Sequence, residues 1–171
     1  SLVPSLIEAA EKGKQAVCMV ELKARFDERL NIRWSRALEE VGAHVVHGIP
    51  GLKTHAKAIL VVRRESNSMR NYEMIGTGNF HAKNARLYED FGLFTTDREL
   101  GEEVANLFNT LTGYGHPARQ RKVLVAPNWM REPLIEEIER TVEAHEAWKS
   151  ARIAMKMNSL VDQRCIEALY R

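Results

Sequence analysis

The chain has 171 residues, 44% of them hydrophobic and 28% charged, with a formal net charge of +2. That composition excludes a disordered or low-complexity chain, and no apolar run approaches the ~18 residues that a helix needs to cross a bilayer. The near-neutral balance excludes a surface that is basic throughout, and leaves Arg63-Arg64 and Arg119-Gln120-Arg121-Lys122 as local patches whose plain reading is a solvated face.

In chain order, Ser5 to Lys12 predicts a helix stopped by Gly13. Gln15 to Leu22 is a short apolar run typical of a buried strand. Leu30, Trp34, Ala37, Leu38 and Val41 recur at helical spacing, so Asp27 to Val41 predicts a helix ended by Gly42. Ala43 to His47 predicts the next strand, and Ile49-Pro50-Gly51 a turn. Lys57 to Arg64 and Tyr72 to Ile75 predict two strands paired across the polar link Glu65 to Asn71. Tyr88 to Thr95 predicts a further strand, after which Asp97 caps a helix running to Leu111.

Gly113 to Pro117 is the clearest break in the chain, and beyond it the alternation restarts. Lys122 to Ala126 and Ile153 to Met157 predict strands; Pro133 to Ala147 and Asp162 onward predict helices. Alternating strands and helices argue an α/β class with a mostly parallel sheet, divided into domains at 1–118 and 119–171. Both ends fall in helical pattern, so the chain is expected to be a piece of a longer, soluble, cytoplasmic protein. Cys18 and Cys165 read as buried thiols in a reducing compartment rather than a disulfide or metal pair. Trp34, Trp129 and Trp148 read as packing residues rather than a base-stacking platform, and no nucleic-acid partner is expected. His44 and His47, three apart on a strand, face opposite sides and do not share a metal.

The chemistry concentrates at Thr54-His55-Ala56-Lys57. Alternation along a strand puts His55 and Lys57 on one side, a titratable nucleophile beside a fixed positive charge. With an ordinary pKa near ~6.5, enough imidazole is neutral at cytosolic pH for a ring nitrogen to attack phosphorus while Lys57 holds a phosphate oxygen. Gly76-Thr77-Gly78-Asn79 follows the strand that ends at Ile75. Its two glycines permit positive φ and close backbone approach, so that amides can point at an anion, and Thr77 and Asn79 add neutral donors.

A His-x-Lys followed by a small-residue turn ending in Asn resembles a half of the phospholipase D superfamily. The aspartate of that pattern, four residues after the lysine, is replaced here by Val62. The departure fits one branch. The stretches from Val20 to Glu28, Gly51 to Lys57, Ile75 to Phe80, Ala85 to Asp90, Asn106 to Asn109 and Asn158 to Asp162 resemble the long-chain polyphosphate kinase family. The family's histidine before this turn is replaced by Met74.

The resemblance implies a phospholipase D-like mixed sheet flanked by helices, followed by the start of a second similar domain whose histidine would lie beyond Arg171. It implies reversible transfer of the ATP terminal phosphate to inorganic polyphosphate through a phosphohistidine at His55. Lys57 and the turn Gly76, Thr77, Gly78 and Asn79 would stabilise the phosphoryl in flight. Arg25 would lie at the magnesium-phosphate site, as a partner of the phosphates rather than a ligand of Mg²⁺, and Tyr88 would contact the nucleotide. The full-length enzyme would be a cytoplasmic homo-oligomer, with peripheral membrane association left open. Two other classes stand beside this one: a phosphodiesterase of the same fold, against which Val62 argues, and a polyanion-binding module without activity.

Overall fold

A computed structural model describes residues 2–21, 28–113 and 115–171. The chain forms two units, Ser1–Pro117 and Ala118–Arg171. In the first, Pro4 sits at the start of helix α1 (Val3–Glu11), where its missing N–H costs nothing. Gly13 closes α1 with φ 75°, and Gly42 follows α2 (Glu28–Glu40) with φ 81°, as a left-handed C-terminal residue requires. Between and after these helices run β1 (Val17–Met19) and β2 (His44–Val46), paired in parallel with Cys18 opposite Val45. Leu38 on α2 is fully buried and Ala43 nearly so, forming the core under this pair. Burying a leucine side chain contributes about 1.5–3 kcal/mol.

A second sheet is antiparallel, in the order β3 (Lys57–Glu65), β4 (Ser68–Gly76), β5 (Gly92–Thr95). The mostly parallel sheet expected from the alternation is therefore corrected: parallel pairing is confined to β1 and β2, because β3 and β4 are joined by a hairpin too short for a crossover. The polar link expected over Glu65 to Asn71 shrinks to Ser66-Asn67, with Ser66 at φ 52°. Its polar residues pair across strands instead. Glu65 accepts from the Tyr72 hydroxyl at 2.5 Å and lies 3.7 Å from Arg70.

Helix α3 (Arg98–Leu111) packs on β4 and β3, with Val104 buried. The Asp97 carboxylate caps it, accepting from the Leu100 amide at 2.9 Å. Gly101 allows the closest approach: a Cβ there would stand 2.2 Å from Oε1 of Glu73 and 3.0 Å from Cβ of Asn71 on β4.

The second unit holds α4 (Arg131–Glu146) and α5 (Gln163–Leu169). Ile135 and Ile138 on α4 pack with Cys165, Ala168 and Leu169 on α5. The Asp162 side chain accepts from the Cys165 amide at 3.1 Å and from Arg131 at 2.7 Å. The first of these bonds, then the second, holds its carboxyl below the usual range. The strands expected at 122–126 and 153–157 do not form, since neither segment finds a ladder partner among the described residues. Cys165 is buried as expected, whereas Cys18 is only half-buried. Trp148 is 98% exposed, at φ 55° just past α4, so it is not a packing residue.

Candidate active site

β3 begins at Lys57, so His55 lies two residues ahead of the strand, in an irregular segment that follows the Ile49–Leu52 bridge. The Thr54 amide donates to Oε2 of Glu21 at 3.1 Å, which ties this segment to the exit of β1. His55 is exposed, and its carbonyl accepts from the Lys57 ammonium at 2.8 Å. Lys57 is 8% exposed, unusual for a lysine. Its burial lowers its pKa, the Asp90 carboxylate opposes that, and Lys53 adds to the lowering. The same charges act on His55: Lys57 first, then partial burial, then Lys53 hold its imidazole below the ordinary value. A lowered pKa favours the neutral ring, the form that has a free nitrogen lone pair.

In the ladder Lys57 stands opposite Gly76, and Gly76 opposite Gly92. Residues opposite one another share a face, so Lys57 is flanked across the sheet by two residues without side chains. The side chain of Met74 occupies part of that space: its Cε lies 2.9 Å from where a Cβ of Gly76 would be and 3.3 Å from that of Gly92.

Beyond Gly76 the turn is fastened to the segment before β5. The Thr77 amide donates to the Phe91 carbonyl at 3.0 Å, and the Phe91 amide donates to Thr77 Oγ1 at 3.0 Å. That hydroxyl in turn donates to Oδ1 of Asp90 at 2.9 Å. Gly78 packs on the same carboxylate, where a Cβ would meet Asp90 Oδ2 at 2.4 Å. The positive φ expected of these glycines is corrected, because neither Gly76 nor Gly78 adopts it. Glycine is required here for close approach, and the approaching groups are Met74 and Asp90. The Thr77 amide is committed to Phe91, while the amides of Gly78 and Asn79 make no hydrogen bond among the described residues.

Tyr88 lies outside β5, a second correction. A 3₁₀ turn over Asn84–Arg86 precedes it, its amide donates to the Asn84 carbonyl at 3.1 Å, and the side chain is exposed. The Thr77 bonds hold Asp90 and Phe91 in the turn, which delays the ladder until Gly92. His81 accepts from the Asn84 amide through Nδ1 at 3.3 Å, so this loop histidine orders the 3₁₀ turn. Arg25 lies outside the described residues. Asp90 is the residue that sequence reasoning passed over. Its two roles, as acceptor for Thr77 and counter-charge for Lys57, depend on contacts 13 residues away in the chain or more.

Among the described residues no group of three or more His, Cys, Asp or Glu side chains is arranged to hold a metal ion. No helix among them is long and apolar enough to cross a membrane. The site offers one imidazole biased towards its neutral form, one buried ammonium that donates to the His55 carbonyl and feels the charge of Asp90, and two amides without a hydrogen bond among the described residues.

Residues 1–117 match the family model described as polyphosphate kinase C-terminal domain 1, and residues 123–171 match polyphosphate kinase C-terminal domain 2. The chain is 55% identical over 170 residues to a polyphosphate kinase of Mycobacterium avium and 50% identical to one of Streptomyces coelicolor. In both cases 99% of this chain is covered, and it spans 23% of the relative's length. The crystal structure of polyphosphate kinase from Porphyromonas gingivalis superimposes with a TM-score of 0.81 at 37% identity, covering 99% of this chain and 28% of that one. The chain belongs to the polyphosphate kinase family, as part of its C-terminal region.

Proposed function

We propose that the parent protein transfers the terminal phosphate of ATP reversibly to inorganic polyphosphate through a phosphohistidine at His55. The observation that carries this reading is the pairing of His55 with Lys57 beside the open amides of Gly78 and Asn79. A neutral ring nitrogen of His55 attacks the γ-phosphorus, and the bond from that phosphorus to the β-phosphate oxygen breaks, releasing ADP. A terminal oxygen of polyphosphate then attacks the same phosphorus, the nitrogen–phosphorus bond breaks, and the chain grows by one. Lys57 and the turn Gly76–Asn79 act on the charge spread over the equatorial oxygens, by positioning and electrostatics.

Mg²⁺ enters with the nucleotide as part of the substrate, its ligands mainly phosphate oxygens, and the role given to Arg25 by its family match is that of a phosphate partner there. Tyr88, exposed beside the turn, contacts the nucleotide. In this reading the first unit is a phospholipase D-like catalytic domain and the second the start of a similar one, in a cytoplasmic homo-oligomer. The test is to incubate the parent enzyme with γ-labelled ATP and map acid-labile, alkali-stable label. Label on the His55 peptide, absent in His55→Ala, is expected; full labelling of that variant refutes the assignment.

A further inference from the structure

The second unit carries a cleft of about 520 Å³ that belongs to none of the chemistry above. Its helical wall is formed by Pro133, Glu136, Glu137 and Arg140 of α4, spaced i, i+3, i+4, i+7 and so on one stripe of the helix. The apolar stripe of α4, Ile135 and Ile138, is occupied by α5, so the cleft uses a different face. The opposite wall is the irregular segment 119–124, which brings Arg119, Arg121 and Lys122, all exposed, to the rim. Four cations thus line it against two carboxylates; Arg140 and Glu137 pair with each other at 2.9 Å, and outside that pair three cations stand against Glu136. A cleft lined mainly by arginine and lysine, with Leu124 and Pro133 as its apolar residues, suits a flexible polyanion that makes many charge contacts and needs no base or ring recognition.

We infer that the cleft between residues 119–124 and α4 of the second unit is a binding site for inorganic polyphosphate, built from residues other than those of the phosphoryl-transfer site. The identity of the anion rests on the function proposed above; the cleft does not. Arginine on a phosphate chain gives forked, charge-assisted contacts and displaces counterions, so binding weakens steeply with salt. Glu136 and Glu137 oppose the anion and set an upper limit on its affinity.

Titration calorimetry of the 171-residue chain with inorganic polyphosphate, over a series of salt concentrations, tests this. Arg119→Gln/Arg121→Gln should weaken binding about tenfold at low salt and lower the slope of log K against log salt by about two, one per lost phosphate contact. Glu137→Gln should tighten binding, an effect that mere damage to the fold cannot produce. All three side chains are exposed, and unchanged thermal unfolding of each variant verifies the fold. Native affinity in both variants overturns the proposal, as does a chain that binds no polyphosphate. Loss confined to Lys57→Ala overturns it too, while leaving the phosphohistidine reading standing. Equal affinity and equal losses with single-stranded DNA would mark a general nucleic-acid surface and also overturn it. Labelling of His55 in the parent enzyme is a separate measurement, so either conclusion can fail alone.

Discussion

Glu73 sits in the middle of β4, 2% exposed, and neither of its carboxylate oxygens has a hydrogen-bond partner among the described residues. It faces Gly101 of α3, with Asn71 alongside on its own strand. Asp97 is the charged group that bears on it from α3; its ladder neighbours, Leu60 and Thr95, do not titrate. Burial first, and the negative charge of Asp97 in addition, raise its pKa above the ordinary 4.5. A folded-state pKa above the unfolded value means that the stability is fully present at acid pH. It is lost as pH rises from the unfolded value through the folded one, at up to about 1.4 kcal/mol per pH unit. At pH 8 the group is an uncompensated buried polar atom pair, which costs roughly 1–3 kcal/mol.

Glu73→Met keeps the side chain's reach and removes that cost. The variant should therefore unfold higher than the native chain by several degrees at pH 8, taking about 4 °C per kcal/mol. At pH 4 the difference should shrink, because the native carboxyl is then protonated in both states. Thermal unfolding followed by circular dichroism at both pH values measures this. A variant that melts below the native chain at pH 8, or keeps the same offset at both pH values, refutes the reasoning.

Three further outcomes follow from the site and the second unit. Lys57→Met should lower the rate of His55 phosphorylation in the parent enzyme by about 3–4 kcal/mol of barrier; it should also raise the imidazole pKa, seen by NMR titration as a shift to higher pH, because Lys57 is the main cause of the lowering. Gly78→Ala should displace Asp90 and cut transfer with little loss of melting temperature, since a Cβ would stand 2.4 Å from Asp90 Oδ2 while the backbone angle suits alanine; an unchanged rate refutes the role of that contact. Asp162→Ala should fray α5, read as faster amide exchange at Cys165; in the native chain the stabilisation from Asp162 should be present above its ordinary 3.8 and be lost as pH falls below it, because its folded pKa is depressed.

What could be read in advance was what local chemistry decides. Asp97 caps α3 and Gly13 and Gly42 close helices because each acts on backbone groups within a turn of itself. The α/β class was legible from alternating patterns, and residue types alone singled out His55, Lys57 and the glycine turn as the candidates to inspect. Pairing was harder to read. Residues 122–126 and 153–157 have the apolar character of strands, yet a strand exists only with a partner, and none is supplied among the described residues. Residues 88–91 look like the start of β5 but are taken by bonds to Thr77. Glu65 and Arg70 looked like a loop because polar residues were read as solvated rather than as a cross-strand pair.

The bonds between Thr77 and Phe91, with the Gly76–Gly92 ladder step behind them, close residues 78–90 into a loop with a fixed base. Such a loop is modular: doubling its length adds only about 0.6 kcal/mol of closure entropy. Within it, however, His81 binds the Asn84 and Ala85 amides, so added residues are accommodated only where they leave residues 81–86 together. A fluorophore carried on the exposed Lys83 side chain, rather than inserted into the backbone, would therefore report on the loop while leaving its base and its 3₁₀ turn in place.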